Sequence, residues 1–297
     1  MSENYAIITD GSCDLPMEWT REMDFTIVPF YVSFDEQNYL KENVDIKIRD
    51  FYQKMIDQPK VYPKSSMPST QDYIDAFLPL VQQNLPIICL CITTKFSGSM
   101  QSALNAKRMI EEDYPQAKIT VIDTIVNTVL QGNLVLEVLE MRKRGAGYQE
   151  TIDRIEEIKS SGRIFFTVGD MEYLKHGGRI GKVAGVAGSI LGIKPVITLK
   201  EGEIFPSGIG RSRKKNLDKC IELLKAYLEE TGEPIDNFRI AIGYGYDFEE
   251  AKAFKERTLE LLEGKVKEED ISFLQIGATI AVHTGPYPLG FGIIHKA

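Results

Sequence analysis

PIICLCITTKFSGSMQSALNAKRMIEEDYPQAKITVIDT, residues 86–124, contains one complete strand–helix–strand unit. IICLCI is a short apolar run after Pro86, and the polar loop TTKFSGS follows it, so it reads as a strand and its exit loop. SMQSALNAKRMIEEDY has helical spacing, with Ala103, Ala106 and Ile110 near one face. KITVIDT is apolar and β-branched again and reads as the second strand. Outward from this unit the alternation continues. YAIITD is a strand and FTIVPFYVSF is a second extended segment carrying a proline. RDFYQKMID, QDYIDAFLPLVQQ and VLQGNLVLEVLEMRKRG are helices, the last ending in basic residues and Gly145. Strands alternating with helices predict parallel βαβ units in the first half.

TIDRIEEIKSSG is an amphipathic helix ending at Gly162, and a domain junction is placed beside it, dividing the chain into residues 1–160 and 161–297. Past it, strands are more frequent than helices. RIFFTVG, a hairpin over KPVITLKEGEIFPSG, FRIAIGYG, ISFLQIG and GFGIIHK predict a mixed sheet. The reading is an α/β protein with a mostly parallel N-terminal domain and a mixed-sheet C-terminal domain.

The chain has 297 residues, of which 43% are hydrophobic, enough for two cores. Its 43 acidic against 35 basic residues leave a net charge of −8, which argues against a nucleic-acid partner. No run approaches the 18 or so apolar residues of a membrane span, and MSENYAIITDGS has no pattern of a secretion signal. Cys13, Cys89, Cys91 and Cys220 include no C-x-x-C pair, and Cys89 and Cys91 share one face of a strand as core thiols. A cytoplasmic location fits. Three scattered histidines have no zinc spacing, so no metal and no cofactor is expected.

Four loops at strand ends carry unusual chemistry. TDGSCDLP holds Thr9, Asp10, Ser12 and Asp14. KSSMPST holds Lys64, Ser65, Ser66, Ser69 and Thr70. TTKFSGSMQS holds Thr93, Thr94, Ser97, Gly98, Ser99 and Ser102. DTIVNTVLQG holds Asp123, Thr124, Asn127 and Thr128. Each alone is explained by a helix cap or turn. Four on one sheet edge point to a small anion, because ligands of open α/β sheets bind beyond the carboxyl ends of the strands. With only Lys64 and Lys95 adding positive charge to the second and third loops, a single carboxylate is better matched than a triphosphate. The glycine-rich stretch EYLKHGGRIGKVAGVAGSILGIKP fails the phosphate-loop pattern, because Gly181-Lys182 precedes Val183. It reads as a small-residue wall beside an apolar cavity. His283, in HTGPYPLG, is placed in a loop between two strands. With no G-x-S-x-G elbow in the sequence, a hydrolase triad has weak support.

TDGSCDLP at 9–16, KSSMPST at 64–70, FSGSMQSA at 96–103, LKHGGRIG at 174–181, LGIKP at 191–195, GRSRKK at 210–215 and HTGPYPLG at 283–290 together resemble the DegV family, along essentially the whole chain. Members of that family include the fatty-acid-binding subunit of bacterial fatty acid kinase. The resemblance implies a long-chain fatty acid in the interdomain cleft, its tail in a tunnel formed by the C-terminal domain. It implies that Ser65, with Ser66 as its substitute, and Ser97 in the Ser97-Gly98 loop hold the carboxylate, and that His283 reaches it directly or through water. It implies that Arg179 and Arg211 dock a separate catalytic kinase subunit, and that the chain itself is not an enzyme. Three positions depart from the family pattern. Gly11 replaces a serine, Met67 a glutamine, and Tyr287 a glycine close to the implied head group. Two other classes stay open. One is an enzyme acting on a small anionic substrate through Asp10, Asp14 and Asp123. The other is an interaction protein without a small ligand.

Overall fold

The alternation around residues 86–124 closes into a sheet in the computed structural model, which describes residues 4–187, 195–262 and 265–297. The first half supplies β1 (Ala6–Asp10), β2 (Thr26–Val28), β3 (Tyr31–Ser33), β4 (Leu40–Lys41), β5 (Lys64–Ser66), β6 (Ile87–Cys91) and β7 (Ile119–Asp123). Four of these lie side by side in the order β2-β1-β6-β7, all parallel. Ala103, Ala106 and Ile110 face this sheet from the helix Ser99–Asp113 and are buried, as their spacing predicted.

The segment FTIVPFYVSF does not run as one strand. It breaks at Pro29 and Phe30, so that β2 pairs with β1 while β3 enters a small antiparallel sheet ordered β4-β3-β5. Proline fixes φ and donates nothing to a ladder, which makes it a natural point for the chain to change sheets. The KSSMPST motif is likewise not all loop. Lys64–Ser66 is β5, with Ser65 opposite Val32 and Ser66 opposite Tyr31.

The second half supplies β8 (Arg163–Thr167), β9 (Pro195–Lys200), β10 (Glu203–Ile209), β11 (Phe238–Tyr244), β12 (Ile271–Gln275) and β13 (Leu289–His295) in a mixed sheet ordered β10-β9-β8-β13-β11-β12. Among the described residues of this sheet, only β11 and β12 pair in parallel. The predicted hairpin is β9–β10, turned by Glu201 and Gly202, both at positive φ (50° and 81°) as its two-residue turn requires. The small-residue stretch at 188–194, with Gly188, Gly192 and most of LGIKP, lies outside the described residues.

The helix Thr128–Lys143 joins the two layers. It is buried along nearly its whole length and packs on β11 and β13 as well as on the turn after β1. Val129, Leu130, Leu134, Val135 and Val138 are each at most 2% exposed, and such side chains contribute roughly 1.5–3 kcal/mol apiece before entropy is charged against them. Its polar residues set the register. Gln131 donates to Asp10 at 2.9 Å, Asn133 to the Gly292 carbonyl at 3.1 Å, and Glu137 pairs with Arg239. One large apolar cluster therefore draws on both halves of the chain.

His283 is not in a loop. It lies in the last turn of the helix Ala278–Thr284, six of whose seven residues are buried. A helix enclosed on almost every side shows no amphipathic stripe, so periodicity could not reveal it. Its Ala278, Ala281 and Val282 pack against Phe51, Tyr52 and Met55 of the helix Ile48–Asp57, under the small sheet.

Candidate functional site

The space between the two layers holds a cavity of about 1050 Å³, its open mouth included. Its apolar wall comes from both halves: Phe30, Ile92, Phe96 and Val129 from the first, and Ile164, Phe166, Leu199 and Leu289 from the second. Its polar wall carries Ser65, Ser97, Asn127, Thr128, Arg179, Thr279, His283 and Thr284.

A closed circuit of contacts rings the mouth. Ser65 Oγ and His283 Nε2 lie 3.1 Å apart. The other face of the imidazole lies against Gly177, where any side chain would collide with it. Gly177 offers its carbonyl to Arg179 Nη1 at 2.8 Å, and Arg179 also donates from Nε and Nη2 to the Phe96 carbonyl at 3.2 and 3.0 Å. Phe96 leads into Ser97 and Gly98. Met67, two residues past Ser65, packs on Gly98 so closely that a Cβ there would stand 2.8 Å from its sulfur. Four motifs far apart in sequence thus meet at one opening, and Arg179 ties the second half of the chain to the Ser97 loop.

Ser65, Ser97, Gly98, Arg179 and His283 all line the cavity. Ser66 does not. Strand alternation turns it to the opposite, exposed face of β5. Arg211 is exposed just before the helix Arg213–Thr231 and is outside the cavity lining. Tyr287, expected close to the head group, is instead 39% exposed and turned onto Gly169 and edge-on to Tyr246. Met67, the other bulky departure, does line the cavity.

The electrostatics follow from burial. Enclosure, with the positive charges of Arg179 and Lys64, holds the His283 imidazole down to about 4. At neutral pH it is an uncharged donor and acceptor, and the positive charge near the mouth comes from those two side chains. His283 Nδ1 is buried without a hydrogen-bond partner. Among the described residues no group orients the second ring nitrogen, as the third member of a nucleophilic triad would.

The aspartates are committed elsewhere. Asp10 is fully buried and accepts from Ser12, Gln131, Ile92 N and Ser99 at 2.8–3.3 Å, fastening together the exits of β1 and β6 and two helices. Asp14 accepts from Thr128, and burial with Glu42 nearby raises its carboxyl well above the usual range. Asp123 accepts from Thr94 Oγ1 at 2.6 Å and Ile125 N at 2.8 Å. Among the described residues no group of three His, Cys, Asp or Glu side chains is placed to hold a metal ion.

Sequence reasoning missed Thr279, Thr284 and Phe30 as wall residues and Glu42 altogether. The threonines are hidden in a helix mistaken for a loop. Glu42, next to the short strand β4, is 2% exposed and looks like any surface glutamate in the sequence.

The comparisons agree with this architecture. A family model described as an uncharacterised protein of the DegV family matches residues 4–296. The structure of a protein from Eubacterium ventriosum described as a fatty acid (stearic acid)-binding protein superposes with a TM-score of 0.93, at 46% identity and over 98% of each chain. A DegV family protein from Thermus thermophilus, described by its fatty acid binding, superposes with a TM-score of 0.87 at 27% identity, over 99% of this chain and 100% of that one. A DegV domain-containing protein of Clostridium perfringens is 30% identical over 98% of both chains. No described helix is long and apolar enough to cross a membrane. With the family model matching residues 4–296 and a relative 30% identical over 98% of both chains, this protein belongs to the DegV family.

Proposed function

We propose that this chain binds one long-chain fatty acid, its carboxylate at the ring of Ser65, Ser97, Gly98 and His283 and its tail along the apolar wall. The observation that carries the reading is that ring, set at the mouth of an apolar cavity between the layers. The fatty-acid binding described for the 46% identical Eubacterium ventriosum protein supports it. Burying a methylene contributes about 0.8 kcal/mol, so a tail of about sixteen carbons is worth at most roughly 12 kcal/mol before ordering costs. A hydrogen bond to the charged head group adds roughly 1.5–3 kcal/mol. The tail therefore sets affinity and the ring sets orientation. Residues 1–160 supply the hydroxyl loops and residues 161–297 most of the tail wall. Four buried free thiols fit a reducing compartment, the cytoplasm.

We further infer that the chain is a carrier without catalytic activity of its own, presenting the carboxylate to a separate kinase that makes an acyl phosphate. The family resemblance supports this, as does the position of Arg179, which is exposed at the mouth and already holds the Ser97 loop. Arg211 is its companion in docking. No metal or cofactor is needed. Native mass spectrometry followed by denaturing extraction tests the binding: about one fatty acid per chain is expected, and delipidated protein with no saturable affinity for any acid of roughly 12–20 carbons overturns it. In a reconstituted assay with the kinase, Arg179→Ala and Arg211→Ala should lose acyl phosphate formation. Full turnover by both, or ATP consumption by the chain alone, overturns the carrier role.

A further inference from the structure

We propose that Glu42 is a positioning residue for the head-group site: its carboxyl anchors the N-terminal end of the helix Ala278–Thr284 and thereby holds His283 against Ser65. The inference rests on the reading that a fatty-acid carboxylate binds at that pair.

The helix begins without a cap of its own. Its N-cap is Gly277, which has no side chain, and the first N–H groups of a helix have no partner within it. Glu42 supplies the missing acceptor from the far side of the fold. Its Oε1 accepts from Ala278 N, and its Oε2 accepts from Thr279 N at 3.3 Å and from the Thr279 hydroxyl.

The anchored helix is a wall of the cavity. Thr279, Ile280, His283 and Thr284 all line it. Thr279 and His283 are four residues apart and so share one face, a single turn from anchor to imidazole. Over so short a lever, a shift at Thr279 moves His283 and its 3.1 Å contact with Ser65.

The groups around Glu42 give the anchor a pH signature. Gly277 is wedged between the carboxyls of Glu42 and Asp14, so closely that a side chain there would strike both. The charges facing Asp14 are Glu42 and Asp10, and the remaining polar neighbours are the hydroxyls of Thr279, Thr128 and Tyr52, the last donating to the Ile276 carbonyl at 2.9 Å. Burial pushes Glu42 up to about 7. A carboxyl whose buried value is raised favours the buried arrangement while it carries its proton. That preference is complete below its free value and is lost as pH rises through about 7. The anchored helix is therefore most secure on the acid side of neutrality and loosens on the alkaline side.

The test measures palmitic acid affinity of the delipidated chain at pH 6 and pH 8.5 for wild type, Glu42→Gln and Glu42→Ala, together with the ¹⁵N imidazole signals of His283 in ligand-free protein. Glu42→Gln keeps one acceptor oxygen, for Ala278 N, puts an amide that can donate to the Thr279 hydroxyl in place of the other, and cannot ionise. It should restore wild-type affinity at pH 6 and remove the extra alkaline loss that wild type shows, which is on the order of tenfold. Glu42→Ala should bind on the order of tenfold more weakly at both pH values and shift or broaden the His283 signals. Identical pH slopes in wild type and Glu42→Gln, or unchanged His283 signals and affinity in Glu42→Ala, overturn the proposal. If Glu42→Ala does not fold, the Glu42→Gln slope decides alone. Wild type that binds no palmitic acid defeats the binding reading instead, and the His283 signals still decide whether Glu42 positions the ring.

Discussion

His283 meets Ser65 through Nε2 at 3.1 Å, while its Nδ1 is pressed against Gly177 with no hydrogen-bond partner. One ring nitrogen faces the cavity and the other is sealed. The ring therefore offers one polar contact to a ligand, made together with a serine hydroxyl.

The first prediction follows from its titration. With its value held down to about 4, His283 stays neutral through the physiological range. A carboxylate brought beside it favours the charged ring and should raise that value. Because the folded value is lower than the unfolded one, stability from this group is complete above about 6.5 and is lost as pH falls toward 4. Imidazole NMR with and without fatty acid checks the shift. A ring that titrates near 6.5 in both states contradicts the burial argument.

Removing one head-group hydroxyl should leave a charged acceptor short of a partner, at roughly 1–3 kcal/mol. Ser97→Ala and Ser65→Ala are expected to weaken fatty-acid binding by about one to two orders of magnitude. A fatty alcohol should bind alike to wild type and to both variants. Ser66→Ala should leave affinity unchanged, since Ser66 sits on the exposed face of β5. Calorimetry on delipidated protein separates these cases, and equal affinity in Ser97→Ala and wild type would show the head group lies elsewhere.

A ligand that binds only the folded chain stabilises it. At a free concentration of 100 times Kd the gain is about 2.7 kcal/mol. Delipidated protein should melt several degrees lower than loaded protein and recover on adding a long-chain acid. An unchanged melting temperature under saturating acid would contradict binding in the cleft.

Asp10 separates the carrier from the metal-dependent enzyme. Its buried carboxylate accepts from four residues, at the exits of β1 and β6 and on two helices. Asp10→Ala strands those donors and should cost roughly 3 kcal/mol or more of stability. Denaturant unfolding measures the loss. Metal-dependent turnover of a phosphorylated substrate by the wild-type chain, abolished in this variant, would favour the enzyme instead.

Much of this protein was determined by local sequence. The run IICLCI, the Ala103–Ala106–Ile110 face and the Glu201-Gly202 turn specify strand, helix and hairpin through side-chain periodicity and backbone preference, which act between neighbours. The hydroxyl-rich loops were legible for the same reason, because hydroxyls cluster where strands end. The tertiary structure alone decided how they are used. Ser65 and Ser66 are equivalent in sequence until β5 pairs with β3 and turns one inward. The helix of His283 has no amphipathic stripe, since it is enclosed by both halves of the fold. Glu42 and Thr279 are 237 positions apart, and their contact exists only because the small sheet packs onto that helix. Pairing, enclosure and long-range capping depend on which distant segments share a layer, and no local pattern encodes that.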